Sequence, residues 1–211
     1  MEITWLGHSC FRIKSKEATI VTDPFDETSG YPLKKLTADI VTVSHDHPRH
    51  SFTQGIAGNP KLLHGPGEYE IAGVFIYGLR CYRDRDKGKT KGANTVYLME
   101  IEGTKLCHLG DLGHTLSAAQ VEEVSDPDVL LVPVGGPPTI DAAGAAEVIN
   151  LIQPKIVIPM HYKTDVSKPE LDPLDKFLKE MGIKEANPIP KLTVNKSMLP
   201  IETQVVVLDY K

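Results

Sequence analysis

The chain has 211 residues, 41% hydrophobic and 24% charged, the size and balance of one large soluble globular domain spanning 1–211. Its net charge of −5 argues against a broad basic nucleic-acid footprint, and no apolar run approaches the roughly 20 residues of a membrane span. Cys10, Cys81 and Cys107 are odd in number with no close pair, so neither a disulfide framework nor a cysteine-based zinc ribbon is expected. The opening Met1-Glu2-Ile3-Thr4-Trp5-Leu6 is strand-like, without a basic n-region or a signal core, and the expected compartment is the cytoplasm.

In chain order, residues 2–6, 11–14 and 18–22 read as short strands, the last stopped by Thr22-Asp23-Pro24. Residues 26–37 are expected to form a loop or a single helical turn, and 39–44 a buried strand of β-branched and apolar residues. Strands come next at 61–64, 69–71 and 74–79, punctuated by Gly65-Pro66-Gly67 and Gly73. Residues 80–92 are polar, with six basic and two acidic side chains, and read either as a solvated loop or as a loop over a pocket that meets an anion. Strands 94–101 and 104–109 form a hairpin around Glu102-Gly103. A helix from Ser117 to Val124 carries a capping-box pattern, Ser117 with Gln120. Then come an apolar strand at 128–134, a helix at 141–151, a strand at 155–160, a helix at 173–181 and a closing strand at 204–209. No linker rich in Gly, Ser or charge divides the chain, and the pattern favours a layered α/β domain with mixed sheets and external helices.

The chemistry concentrates at strand ends. The strand at 39–44 breaks into Ser44-His45-Asp46-His47-Pro48-Arg49-His50, three histidines within six positions. On an extended segment residues i and i+2 point the same way, so His45 and His47 can aim two imidazoles at one point, with His50 joining after the turn. Solvated loop histidines are the plain alternative, but converging imidazoles at a strand end make a typical zinc, iron or manganese site. His8, His108-Leu109-Gly110-Asp111, His114 and His161 also come after strands, and only His64 of the eight histidines lies elsewhere. A carboxylate such as Asp111 can bridge two cations. The Gly65 and Gly135-Gly136 stretches lack the lysine and hydroxyl of a phosphate loop and read as turns. Ser9 and Ser44 lack a nucleophile elbow. Cys107 and His108, adjacent on a strand, face opposite ways.

Five stretches in order give the chain a specific likeness. They are Trp5-Leu6-Gly7-His8-Ser9-Cys10-Phe11, Val43-Ser44-His45-Asp46-His47, Gly65-Pro66-Gly67-Glu68-Tyr69-Glu70, Cys107-His108-Leu109-Gly110-Asp111-Leu112-Gly113-His114, and Ile158-Pro159-Met160-His161-Tyr162. Over essentially its whole length the chain resembles the metallo-β-lactamase-fold hydrolases, on the small prokaryotic branch similar to L-ascorbate-6-phosphate lactonase. The resemblance implies an αββα sandwich of two mixed sheets with a dinuclear site along one edge. Carried over by position, it implies His45 and His47 as ligands of a first metal, His50 and His161 as ligands of a second, Asp111 as the bridging carboxylate and His8 as a rim residue for substrate contact or proton transfer.

Two positions depart from the family pattern H-x-H-x-D-H and its later histidine. The aspartate is replaced by Arg49, and the third first-metal histidine corresponds to Arg83 in Tyr82-Arg83-Asp84. A guanidinium has no lone pair to give a metal. If both arginines point inward, they pair with Asp111 and bind an anion by forked hydrogen bonds; if both point to solvent, a depleted site keeps one ion. The implied function is therefore a zinc- or manganese-dependent hydrolase, with one or two ions, acting on a small anionic ester, phosphodiester or lactone. The alternative is a metal-poor or metal-free protein that binds an anionic ligand through Arg49 and Arg83. Neither a nucleic acid nor a membrane is expected as a partner.

Overall fold

A computed structural model describes residues 1–32, 35–124 and 126–210. Strands β1 (Glu2–Gly7), β2 (Cys10–Lys14) and β3 (Thr19–Thr22) form an antiparallel meander in which Ile3, Trp5, Phe11, Ile13 and Ile20 turn inward. A single 3₁₀ turn at Glu27–Ser29 comes next, capped by Asp26. It leads to β4 (Leu36–Thr37), β5 (Ile40–Val43), β6 (Ile56–Ala57) and β7 (Lys61–His64). The second half opens with β8 (Gly67–Ile71), β9 (Val74–Tyr82), β10 (Ala93–Ile101) and β11 (Thr104–His108), again antiparallel. It continues through α1 (Ala118–Glu123), β12 (Val129–Pro133), α2 (Ala142–Ile152), β13 (Ile156–Met160), α3 (Leu174–Glu180), β14 (Leu192–Thr193) and β15 (Gln204–Val205).

The strands make two large mixed sheets. The first has the order β14-β1-β2-β3-β5-β7 and the second β15-β13-β12-β11-β10-β9-β8, with β4 and β6 paired apart. One buried core runs from Met1 to Tyr210 and takes large side chains from both sheets, among them Trp5, Phe11, Tyr97, Met99 and Leu106. This is the layered α/β architecture expected. Among the described residues, no helix is long and apolar enough to cross a membrane.

Parallel strand pairs in each sheet decide where chemistry can sit. In the first sheet β3, β5 and β7 run parallel, and in the second β11, β12, β13 and β15 run parallel. Parallel strands buried on both faces need continuous apolar runs, and β5, β12 and β13 are buried at every position. Parallel neighbours also send their carboxyl ends to one edge, where loops gather polar residues. Asp23 comes directly after β3, Ser44-His45 after β5, Leu109-Gly110-Asp111 after β11 and His161 after β13.

Several expected boundaries shift. Strand β9 runs on to Tyr82, so the polar loop begins three residues later than its composition suggests. The closing strand stops at Val205, with Leu208 keeping only an isolated bridge to Ile189. The short pairs β4–β6 and β1–β14 carry no sequence signal strong enough to place them. Part of the 26–37 expectation, residues 33 and 34, lies outside the described residues.

Tyr97 pins the sheets together next to the loops. It is fully buried on β10, and its hydroxyl donates toward Val43 O at 3.1 Å or Leu63 O at 3.2 Å and accepts from Gly65 N at 3.1 Å. Tyr97→Phe leaves the Gly65 N–H and one first-sheet carbonyl, Val43 O or Leu63 O, short of a partner. Thermal or urea unfolding should show a loss of about 1–3 kcal/mol; an unchanged midpoint would mean that the hydroxyl carries none of the sheet-to-sheet stability.

Candidate metal centre

The site is assembled from backbone turns that L-residues rarely adopt. His8 and His161 both have left-handed backbone, with φ of 53° and 54°, and Asp23 has φ of 39°. Such conformations cost on the order of 1 kcal/mol or more and persist where the surroundings fix them. Here the carbonyl of His8 accepts from both Trp5 Nε1 at 3.0 Å and His161 N at 3.1 Å, which ties the two histidine turns to each other. The loop after β5 closes through His50 N and Ser51 N, which both donate to His47 O. Gly110 (φ 57°) brings Asp111 under Ser44, and a Cβ there would meet Ser44 Cβ at 2.6 Å. Asn94 then clamps the turn, accepting from Asp111 N at 2.8 Å and donating to Leu109 O at 2.9 Å.

Asp111 lies at the centre. Its Oδ1 is 3.4 Å from His50 Nε2 and 3.4 Å from His161 Nε2, and its Oδ2 is 3.6 Å from His45 Nε2 and 3.3 Å from Arg83 Nη2. All three histidines and the aspartate are buried. The Oδ1 and His45 Nε2 atoms have no hydrogen-bond partner among the described residues. Spacings of 3.4 Å are long for a charged hydrogen bond, but they match the roughly 3.3–3.4 Å between neighbouring donors about 2.0–2.1 Å from one tetrahedral ion. His8 packs against His161 and His50 with tilted rings at separations of 4.2 and 4.8 Å. Two overlapping groups, His8 with His50 and His161, and His45 with His50 and Asp111, offer ligand atoms within 4.8 Å of one another. Nitrogen and carboxylate donors of this kind fit a divalent zinc- or manganese-type ion.

Every residue expected at the site can be placed. His8, His45, His50, Asp111 and His161 come together. His47 is only half-buried, 6.0 Å ring to ring from both His45 and His50, and its Nδ1 accepts from Arg49 N at 3.2 Å. Arg83 turns inward, bonding Asp111 with Nη2 and Lys91 O with Nη1. The Arg49 side chain is half-buried, and its Nε has no partner among the described residues. His108 and His114 stay out of the cluster: His108 bonds Ser9 O and Gly110 N, and His114 accepts from Tyr82 N.

The family model described as a β-lactamase superfamily domain matches residues 2–161. The chain belongs to the metallo-β-lactamase superfamily. A superfamily member of known crystal structure from Thermotoga maritima is 44% identical, covers 98% of this chain and 97% of its own, and superposes with a TM-score of 0.81. A UPF0173 metal-dependent hydrolase from Thermoplasma volcanium is 31% identical over 203 residues, 82% of this chain and 88% of that protein. A UPF0173 protein from Pyrococcus furiosus is also 31% identical, over 86% of this chain and 90% of its own. The expected superfamily and its enzyme class agree with these relatives; the finer likeness to L-ascorbate-6-phosphate lactonase gains no support from them.

Two contributors to this superfamily site were missed. Asp23, read only as the stop of β3, is fully buried and accepts from Ser44 N at 2.8 Å, Ser44 Oγ at 2.6 Å and His50 Nδ1 at 2.9 Å. It thereby turns His50 Nε2 toward Asp111, as a carboxylate behind a metal-binding imidazole does. A carboxylate after a buried strand, beside the strand that delivers the histidines, was the available signal. Asn94 had none, because its role depends on β10 lying beside the turn after β11.

Burial sets the protonation of the superfamily site. Desolvation, helped by the charge of His50, lowers His45 to about 3, and burial against the pull of Asp111 lowers His161 to about 4. Burial also pushes His8 well below its usual value. Burial opposes charge on His50 as well, but the carboxylates of Asp111 and Asp23 outweigh it and leave His50 raised. Burial would raise Asp111, yet the facing His50, His161 and His45 hold it well below the carboxylate range. His45, His161 and His8 therefore keep their lone pairs at neutral pH.

These shifts fix the sign of the pH effect on stability. Groups whose folded pKa is depressed give stability that is complete above the unfolded value near 6.5 and is lost as the pH falls toward the folded value. His45, His161 and His8 work in that direction, while raised His50 works against them. In chelator, the melting temperature at pH 5 should lie roughly 5 °C or more below that at pH 7. An equal or higher value at pH 5 would show that the neutral histidines do not dominate.

Proposed function

We propose that the protein is a metal-dependent hydrolase of a small anionic ester, phosphodiester or lactone, built on a single-ion centre. The observation that carries this reading is the pair of 3.4 Å spacings from Asp111 Oδ1 to His50 Nε2 and His161 Nε2, with Oδ1 unpartnered among the described residues. His50, His161 and Asp111 Oδ1 would hold the ion, with His8 beside them. When bound, a zinc- or manganese-type ion supplies Lewis acidity and a water nucleophile at neutral pH.

Arg83 takes the other side of the carboxylate. Its guanidinium, fixed by Asp111 Oδ2 and Lys91 O, fills the side on which a first ion would meet Oδ2 and His45. It positions an anionic group of the substrate by forked hydrogen bonds. His8, with Nδ1 unpartnered among the described residues and its ring beside His50 and His161, would be the rim residue that contacts the substrate by a hydrogen bond. Cavities of about 490 and 380 Å³ adjoin at Arg83 and Lys91, room for a small substrate.

A second reading, an anion-binding protein that holds no metal, draws support from the 3.3 Å contact of Arg83 with Asp111. Elemental analysis separates the two. Untagged protein purified without chelator and dialysed against Zn²⁺ or Mn²⁺ should keep about one equivalent, and Arg83→His, which restores a donor, about two. Asp111→Ala should lose both metal and hydrolysis. Wild-type protein that keeps no metal removes the hydrolase reading and leaves the anion-binding one.

A further inference from the structure

We propose that the cavity of about 380 Å³ beside His45 is a recognition subsite for a phosphomonoester group of the substrate, a group that is bound and not cleaved. Only the word substrate rests on the hydrolase reading; the binding of a dianion does not.

The charge on the walls selects the cavity. Arg80, Arg83 and Lys91 line it with His64, against the single carboxylate of Asp46. The larger neighbouring cavity sets Arg83, Arg85 and Lys91 against Asp84, Asp141 and Glu147, and so offers an anion no net attraction. A phosphomonoester carries a charge of about −1.5 to −2 at neutral pH, with acceptor oxygens that match forked guanidinium donors. The Arg83 guanidinium is held at the wall by Asp111 Oδ2 and Lys91 O.

The loop that brings these cations is built and held. Asp84 accepts four backbone N–H bonds, from Asp86, Gly88, Thr90 and Lys91, at 2.6–3.1 Å. Arg83 N donates to Gly92 O, and Gly113 N donates to Tyr82 O. A Cβ on Gly113 would stand 2.2 Å from the Arg83 carbonyl, so only glycine allows the loop to lie this close to the Asp111 turn. Of the central cluster, only His45 lines the cavity; Asp111, His50 and His161 do not. A group seated there lies one side chain away from the 3.4 Å donor set, which suits recognition and not bond breaking.

Inorganic phosphate is the probe, titrated calorimetrically into the protein as purified. Wild-type protein should bind it, Arg80→Gln should weaken it by about tenfold or more, and Arg85→Gln, in the balanced cavity, should stay within about twofold. Both arginines are exposed, and unchanged melting temperatures confirm that the variants fold. His161→Gln should leave phosphate binding in place; loss there would put the anion on the metal donors and overturn the assignment. So would equal weakening by Arg80→Gln and Arg85→Gln, or no effect of Arg80→Gln. Where hydrolysis is found, two esters differing only by a phosphomonoester complete the test. Arg80→Gln should raise KM for the phosphorylated one by about tenfold and leave the other unchanged; equal KM values for both would make this a site for free phosphate and overturn the substrate assignment. Phosphate binding through Arg80 in a protein without hydrolysis would sink the hydrolase reading alone.

Discussion

A carboxylate stripped of water is the constraint on which this centre depends. Asp111 is almost fully buried, and an ionised group there faces a desolvation cost of several kcal/mol unless positive charge or a metal compensates it. Three imidazoles and one guanidinium surround it, two groups on each oxygen. The cluster can be neutralised by a bound ion, by protonated His50 or by Arg83. Binding a metal therefore exchanges one form of compensation for another and does not create a charge in the core.

The fold prepares that position by topology. Four buried strands from two sheets end at one edge, and each delivers a polar turn there. The turns are fixed by backbone bonds and by Asp23, Asn94, Trp5 and Tyr97, which brace the cluster from behind. Strained residues, His8, Asp23 and His161, stand where these turns meet. Backbone strain is kept where donors must point at one another, in line with the usual location of such conformations at functional sites.

The two arginines act differently although one sequence pattern flags both. Arg83 reaches the central carboxylate because β9 and the clamped loop after it carry its backbone against Gly113. Arg49 sits in the histidine loop, where its backbone N–H, and no side-chain bond to Asp111, engages the site. The charge of a guanidinium can replace that of an ion, but not its Lewis acidity. The two sides of Asp111 are thus chemically unequal, with open donors on Oδ1 and a fixed cation on Oδ2.

Most of the elements follow from local patterns in the chain. The uniform apolar runs of β5, β12 and β13, the hairpin at Glu102-Gly103 and the Ser117–Gln120 capping box are local patterns, and all appear where local rules put them. Clustering after strands singled out His8, His45, His50, Asp111 and His161, because a strand end must turn and the next few side chains are then free to face a cleft. Which of these polar residues meet is set by contacts between distant parts of the chain. His108 closes a strand too, but its ring points to Ser9 O inside the core, while Asp23 joins the site from a strand stop. Asn94, the short strands β4, β6 and β14, and the inward turn of Arg83 are products of long-range packing. Side-chain direction and pairing across sheets depend on distant residues, and no local periodicity encodes them.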